Sequence, residues 1–548
     1  MKKCIVKTMV FAVALAGLIQ FPVKAETKTI NITVTNPADA GKEIQDELDK
    51  AKYDSSGINN YVFNFPKGEL ILKDTVLKVY SYSTLNLEGC TLKRVSTEMD
   101  WRSMLRIGNA TGTDKGDPID KGAKEYNGYH DIKIIGGTFD GNGSEALAAD
   151  AKKCPTMLRF GHGYNLSFEG VTLKNPYDNH HMEFAACKGI TIKNCTFEGF
   201  VPKKGKSGAT AVNYANNEAV QFDIMHNESH FTQYPEYDDT PCQDIVVDGC
   251  TFTNLQRGLG THSAVAGSYF NNIQFTNNTF NNISGYAITA TNYKNATISG
   301  NTITDCGAGI IFRSMVQSHD TFYTPLAGSF TIDNDAASVI TGNTIQVSDK
   351  KYKKATAYGI SLYGEVVSSA ISNDGGKDEV PEGNFTLKGV TVTDNKITMN
   401  NSGYGIWLQS SDSCVVSGNT VTMNVGAGVS GSGNCDPIRL VKSKDNSLIN
   451  NTLEIKKKNK KTQKACGIVI TTKSSATLTG NTIKNALKDG IFVVTKSSAV
   501  VKSNKIIKTG RYGLNVCEKS TARSIKNTFK KCKKRQYNVY DKSKIKKK

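Results

Sequence analysis

Beyond its first 25 residues the chain has no apolar run long enough to span a bilayer, so no helical membrane insertion is expected. Its 13 cysteines include no Cys-x-x-Cys pair with metal-ligand spacing, which removes the common zinc sites. Helical patterns of roughly 10 to 15 residues between its short apolar strands are also missing, which excludes an alternating βαβ sheet. What remains is a long series of short strands separated by bends rich in Gly, Asn and Asp.

The start of the chain has its own logic. Lys2, Lys3 and Lys7 precede an apolar stretch from Met9 to Phe21, and Val23-Lys24-Ala25 follows. That order of charge, apolar core and small residue reads as a secretory signal over 1–25, with Glu26 opening the mature protein. The expected localisation is therefore secreted, extracellular or cell-wall associated. The formal net charge is +18, with 68 basic and 50 acidic residues. A basic exported chain suits an acidic polysaccharide as partner; nucleic acid would serve on charge alone but not outside the cell.

A repeated unit, apolar-x-apolar-x-x-[Asn/Cys]-Thr-apolar, organises the rest. Its sixth position reads Cys90, Gly137, Val171, Cys195, Cys250, Asn278, Asn301, Asn343, Asn395, Asn419, Asn451, Asn481, Asn504 and Asn527. Several spacings are 23 or 24 residues, and longer ones contain polar insertions. A coil of that length with three short strands predicts an all-β fold, a parallel β-helix whose rungs stack ~4.8 Å apart. Stacked Asn side chains at one corner would bond to each other and to the turn backbone. Cys90, Cys195 and Cys250 share that inward corner and read as small buried thiols, with a Cys195–Cys250 disulfide as the alternative.

Three segments carry a family resemblance: Ala40-Gly-Lys-Glu-Ile-Gln-Asp-Glu-Leu-Asp-Lys-Ala, Val62-Phe-Asn-Phe-Pro-Lys-Gly-Glu-Leu-Ile-Leu and Leu85-Asn-Leu-Glu-Gly-Cys-Thr-Leu. They resemble the opening of pectate-lyase-superfamily β-helix proteins. The resemblance implies a right-handed solenoid with an amphipathic helix plugging its N-terminal end. The expected layout is a strand and capping helix over 26–60, coils bearing an active groove over 61–337, and further coils with a basic tail over 338–548. Asn179-His-His-Met-Glu-Phe-Ala, Glu218-Ala-Val-Gln-Phe-Asp and Arg257-Gly-Leu-Gly-Thr-His-Ser are similar to segments of bacterial, glycan-active β-helix proteins. Gly161-His162-Gly163 matches a short polygalacturonase motif, but here it precedes the acidic strands instead of following an Asp-Asp pair, and no Arg-Ile-Lys follows.

Seven of the eight histidines lie between His130 and His262. Aligning the inward pairs Leu105/Ile107, Leu158/Phe160, Met182/Phe184, Val220/Phe222 and Leu259/Thr261 stacks their outward neighbours into rows. One row reads Arg106, Arg159, Glu183, Gln221, Gly260; the next reads Gly108, Gly161, Ala185, Asp223, His262. A row at the strand entrance reads Ser103, Thr156, His180, Glu218, Arg257. This register predicts the pairs Arg159–Glu183, Glu218–Arg257 and Asp223–His262. The two outward rows of later coils, Thr289 to Arg439 and Thr291 to Val441, lack carboxylates.

Glu183, Asp223, Glu218 and His262 are the candidate catalytic residues. Arg106, Arg159, His162, His180, His181, Gln221 and Arg257 are the candidate substrate contacts. Glu183 and Asp223 would sit ~8 Å apart at Cα, in range of a glycosidase carboxylate pair. A glycoside hydrolase is the first expectation, a uronate lyase or epimerase the second, a non-catalytic wall or glycan-binding adhesin the third. No cofactor is expected, although the adjacent carboxylates Asp238-Asp239 make Ca²⁺ a possibility. Tyr234 and Tyr237, on the insertion from His226 to Pro241, are candidates for stacking on sugar rings.

Overall fold

The computed structural model describes residues 26–548 apart from 53–58, 74, 96–102, 108–122, 150, 152–155, 203–216, 228–230, 232–233, 235, 316–320, 349–356, 374–377, 401–402, 426–434 and 458–464. Residues 1–25, where a secretory signal is expected, Gly108 and most of the insertion before Asn217 therefore lie outside the described residues.

Each coil contributes one strand to each of three long parallel sheets, of 18, 16 and 15 strands. The 16-stranded sheet carries the candidate residues. Its main path runs β1 (Leu77–Val79), β2 (Leu105–Ile107), β3 (Leu158–Gly161), β4 (Met182–Ala185), β5 (Glu218–Met225), β6 (Arg257–Gly260), β7 (Tyr286–Thr291), β8 (Ala308–Arg313), β9 (Ala357–Tyr363), β10 (Gly403–Gln409), β11 (Ile438–Val441), β12 (Ile468–Thr471), β13 (Ile491–Val493), β14 (Tyr512–Val516) and β15 (Arg535–Val539). Inward alternation builds the core. Phe160 stacks on Phe184 with centroids 4.9 Å apart, and Phe184 on Phe222 at 5.6 Å. Phe197, Phe252 and Phe280 stack likewise from another sheet. Truncating one such ring to Ala should cost ~3–5 kcal/mol.

The N-terminal end is closed by α1 (Gly41–Lys52), which buries Ile44 and Leu48. Gln45 also satisfies the edge strand: its Oε1 accepts from the Lys78 amide at 2.7 Å and its Nε2 donates to the Lys78 carbonyl at 3.3 Å. The helix thus blocks strand addition as well as covering apolar surface.

At the corner, all nine asparagines form one continuous ladder. Asn395 shows the unit: its amide and Nδ2 both donate to Asn419 Oδ1 at 3.0 Å, and its Nδ2 also reaches the Ile340 carbonyl at 2.9 Å. Cys250 hands over to this ladder, donating its amide to Asn278 Oδ1 at 2.9 Å. The Cys195 amide points at Cys250 Sγ at 3.4 Å, and both are free thiols, so the disulfide alternative is corrected. A second ladder, unforeseen from sequence, joins Ser411, Ser443, Ser474, Ser497, Ser520 and Ser543, each amide donating to the next hydroxyl.

Candidate functional site

The predicted register holds from β3 to β6: Arg159 pairs with Glu183, Glu183 with Gln221, Ala185 with Asp223, and Glu218 with Arg257. It ends at Gly260. That residue has φ +138 and its backbone approaches the next rung so closely that a Cβ would lie 1.8 Å from the Thr289 carbonyl oxygen. The chain turns there, and the expected Asp223–His262 ladder pair is replaced. His262 Nδ1 instead lies 2.8 Å from Glu218 Oε2, while Arg257 Nη1 donates to Glu218 Oε1 at 3.0 Å.

Glu218 is therefore a hub. Its side chain is 0% exposed, whereas Arg257 and His262 reach solvent at 10% and 11%. Burial alone would raise its pKa, but the His262 ring and the Arg257 guanidinium outweigh that and hold it well below the usual carboxylate range. His180 completes the cluster, with Nδ1 at 2.6 Å from the Glu218 carbonyl oxygen and its ring parallel to His262 at 6.2 Å. Burial lowers its pKa against the pull of Glu183 and Glu218.

Glu183 makes the second ion pair. Arg159 Nε and Thr156 Oγ1 both donate to its Oε2 at 2.9 Å. The Arg159 guanidinium lies 4.1 Å from the Phe231 ring, brought over the face by the insertion after β5. Phe231 and Tyr234 pack with Ala185, Ala186 and Met225, and a Cβ on Gly161 would meet the Tyr234 ring at 2.4 Å. This explains the small residues of the second outward row: the insertion sits on them. Tyr234 is thus a packing residue and not a free sugar platform, and Tyr237 donates to the Phe231 carbonyl. Phe231, which the sequence reading passed over, is the aromatic that meets the charged row.

The remaining candidates divide. Gln221 Nε2 donates to Asp223 Oδ2 at 2.6 Å, and Asp223 Oδ1 accepts its neighbour's amide, Ile224 N, at 2.8 Å. Asp223 is wholly buried. Arg106 is stacked in register with Arg159. His162 lies between two carbonyl oxygens, Glu125 at 2.9 Å and Glu236 at 3.2 Å, and so ties two loops together. His181 stands edge-on to the core ring of Phe197, and burial pushes its pKa down to about 3. Both histidines are corrected from substrate contacts to structural groups, because they sit at corners where strand alternation does not set direction. Asp238 accepts from the Glu125 and Thr240 amides, and Asp239 from the Leu326 amide beside His226. They fasten loops, and among the described residues no group of three or more His, Cys, Asp or Glu could hold a metal.

The later coils are not free of acids once the entrance row is followed. Asp436 and Asp489, two residues ahead of β11 and β13, stand where Glu218 stands relative to Val220, and both are buried. Asp436 pairs with Arg439 at 2.8 Å; Asp489 accepts from Arg511 Nε at 3.1 Å and Asn515 Nδ2 at 3.0 Å.

This architecture is also found by comparison. The chain matches the family described as Right handed beta helix region over residues 125–303 and 382–547, and it belongs to that family. Plasmin and fibronectin-binding protein A of Streptococcus pneumoniae is 25% identical over 391 residues, covering 67% of this chain and 52% of that protein. The chain thus spans about half the length of this curated relative. The crystal structure of PfbA, a surface adhesin of Streptococcus pneumoniae, superposes with a TM-score of 0.51 at 17% identity over 91% of both chains. The tailspike protein of E. coli bacteriophage HK620 in complex with a pentasaccharide gives a TM-score of 0.49 at 14% identity, over 94% of this chain and 78% of that one. No helix among the described residues is long and apolar enough to cross a membrane.

Proposed function

We propose that this protein is a secreted or surface-located enzyme that processes an acidic polysaccharide by removing the proton from the carbon beside a sugar carboxylate. His262 is the base. A ring whose Nδ1–H is held by a carboxylate carries its lone pair on Nε2, and Glu218 supplies that carboxylate. Arg257 and Arg159 neutralise the sugar carboxylate, which lowers the energy of the enolate formed when the proton leaves. Expulsion of the O4 oxygen then gives an unsaturated product, as in a lyase; return of a proton to the opposite face gives an epimer.

One observation carries this reading: Glu218 is fully buried beneath Arg257 and His262, so the carboxylate faces inward while the guanidinium and the imidazole face the substrate. Repulsion of an acidic sugar by Glu218 is thereby offset, and Arg159 does the same for Glu183. Glycoside hydrolysis by Glu183 and Asp223 is the second reading, favoured by the Glu183 side chain reaching the surface at 8% exposure. It is weakened by Asp223, whose carboxylate is enclosed and already bonded to Gln221 and the Ile224 amide. The adhesin reading draws support from the streptococcal relative and from the likeness to the PfbA surface adhesin.

A panel of polyuronates and neutral glycans separates the three. An ultraviolet-absorbing unsaturated uronide, or a change of C5 configuration, supports proton abstraction. New reducing ends without unsaturation support hydrolysis, and binding without product supports adhesion.

A further inference from the structure

Past the groove, the same sheet face carries a second set of outward side chains. Tyr358 and Tyr404 are adjacent in register on β9 and β10, and Trp407 projects from β10. The Tyr358 ring stacks on Trp407 with centroids 4.8 Å apart and planes 16° apart. Tyr404 lies parallel to both, at 6.0 Å from Tyr358 and 6.2 Å from Trp407. All three are half-buried, while the inward positions of these strands, Ile360, Leu362, Ile406 and Leu408, are fully enclosed. The rings are therefore not needed to fill the core.

The next rung adds charge. The Arg439 guanidinium lies 5.5 Å from the Tyr404 ring, and Asp436 Oδ2 holds it at 2.8 Å. Asp436 Oδ1 is itself fixed by the Cys466 amide at 2.9 Å. Asp436 is 2% exposed and Arg439 19%. This repeats the construction of the groove, where Arg257 lies 5.9 Å from the Tyr286 ring above buried Glu218. In both places the acid is hidden and an arginine on an aromatic ring is presented.

We propose that Tyr358, Tyr404, Trp407 and Arg439 form a second glycan-binding site, which takes an extended acidic polysaccharide. Sugar rings stack on the aromatic faces and a sugar carboxylate or sulfate pairs with Arg439. Arg257 on β6 is three rungs from β9 and four from β10, so ~14 to 19 Å separate the two sites along the axis. One polymer lying along the solenoid would engage both. The site stands on its own contacts and does not depend on the reaction carried out in the groove.

The chain has two tryptophans, Trp101 and Trp407. Trp101→Phe therefore makes Trp407 the sole reporter, and His262→Asn in the same protein removes turnover. Oligomers of polygalacturonate, alginate and chondroitin sulfate are titrated against this protein, with cello-oligomers as the neutral probe. The expected result is a saturable change in Trp407 fluorescence with at least one acidic oligomer, weakened by salt. Calorimetry should then show about tenfold weaker binding for Trp407→Ala and for Arg439→Gln with unchanged melting. Trp407→Phe should recover most of the affinity and serves if the alanine variant fails to fold. No fluorescence change with any acidic oligomer, or unaltered affinity in both Trp407→Ala and Arg439→Gln, overturns the proposal. Failure of the groove chemistry would appear instead as turnover that survives His262→Asn, a separate readout.

Discussion

The first half of the site sheet and its second half share a backbone and the pairing of a buried acid with an arginine, but they group their charges differently. From β3 to β6 and just beyond, the site face holds two neighbouring charge clusters, Arg159 with Glu183 and Glu218 with Arg257 and His262. The corner beside them is built from Gly, Val and Cys, which bond to their neighbours sparsely. From β7 onward the corner is an uninterrupted Asn ladder, and the face carries rings and isolated Asp–Arg pairs. The regular half is tied together by amides that have one function each. The irregular half accepts large insertions and buried charge, and this is where a site can be assembled.

Breaking the network should produce the largest effect. Glu218→Gln keeps the shape but removes the charge that orients His262, and should lower turnover by ~10²-fold or more. Glu183→Gln and Asp223→Asn should do less; if they abolish turnover while Glu218→Gln does not, hydrolysis is the better reading. The matching substitution in the regular half acts on stability. Asn395→Ala takes the acceptor from both the backbone and side-chain amides of Asn343 in the interior, and chemical denaturation should show a loss of ~1–3 kcal/mol. Activity per folded molecule should be untouched.

Gly260→Ala sharpens the contrast between the two halves. A side chain there meets the Thr289 carbonyl at a backbone conformation that L residues seldom adopt. It should cost ~1–3 kcal/mol and displace His262, so that stability and turnover fall together.

Acid sensitivity should be smaller and should map to Glu218. Its folded pKa lies below the unfolded value, so its contribution is complete above the ordinary value of 4.5 and is lost as pH falls below it toward the folded pKa. Glu218→Gln should flatten that acid limb of the melting profile relative to wild type. Smallest of all, melting with and without reductant should coincide for the described coils, where the cysteines are free.

Much of the fold was legible from sequence because two inward apolar residues recur from coil to coil and a corner amide recurs in nine of them, and period alone dictates stacking. The Arg159–Glu183 and Glu218–Arg257 pairs followed from the same register. His262 did not, because one glycine at positive φ ended the strand before the predicted partner. His162 and His181 were misplaced since alternation is silent at corners. Asp436 and Asp489 were overlooked because the entrance row was followed only through the early coils. The serine ladder lies at a corner outside the Asn-Thr unit, and its apolar neighbour shifts from three residues on after Ser411 to two after Ser474, Ser497, Ser520 and Ser543.

The central claim is that His262 removes a proton beside a sugar carboxylate. The most direct measurement is digestion of a polyuronate panel in deuterium oxide, followed by NMR of the products and the residual polymer. The account predicts, for one acidic substrate, deuterium at C5 or a C4–C5 double bond with the wild-type protein and neither with His262→Asn. Reducing ends with every C5 proton retained, lost on Glu183→Gln but not on His262→Asn, would contradict it.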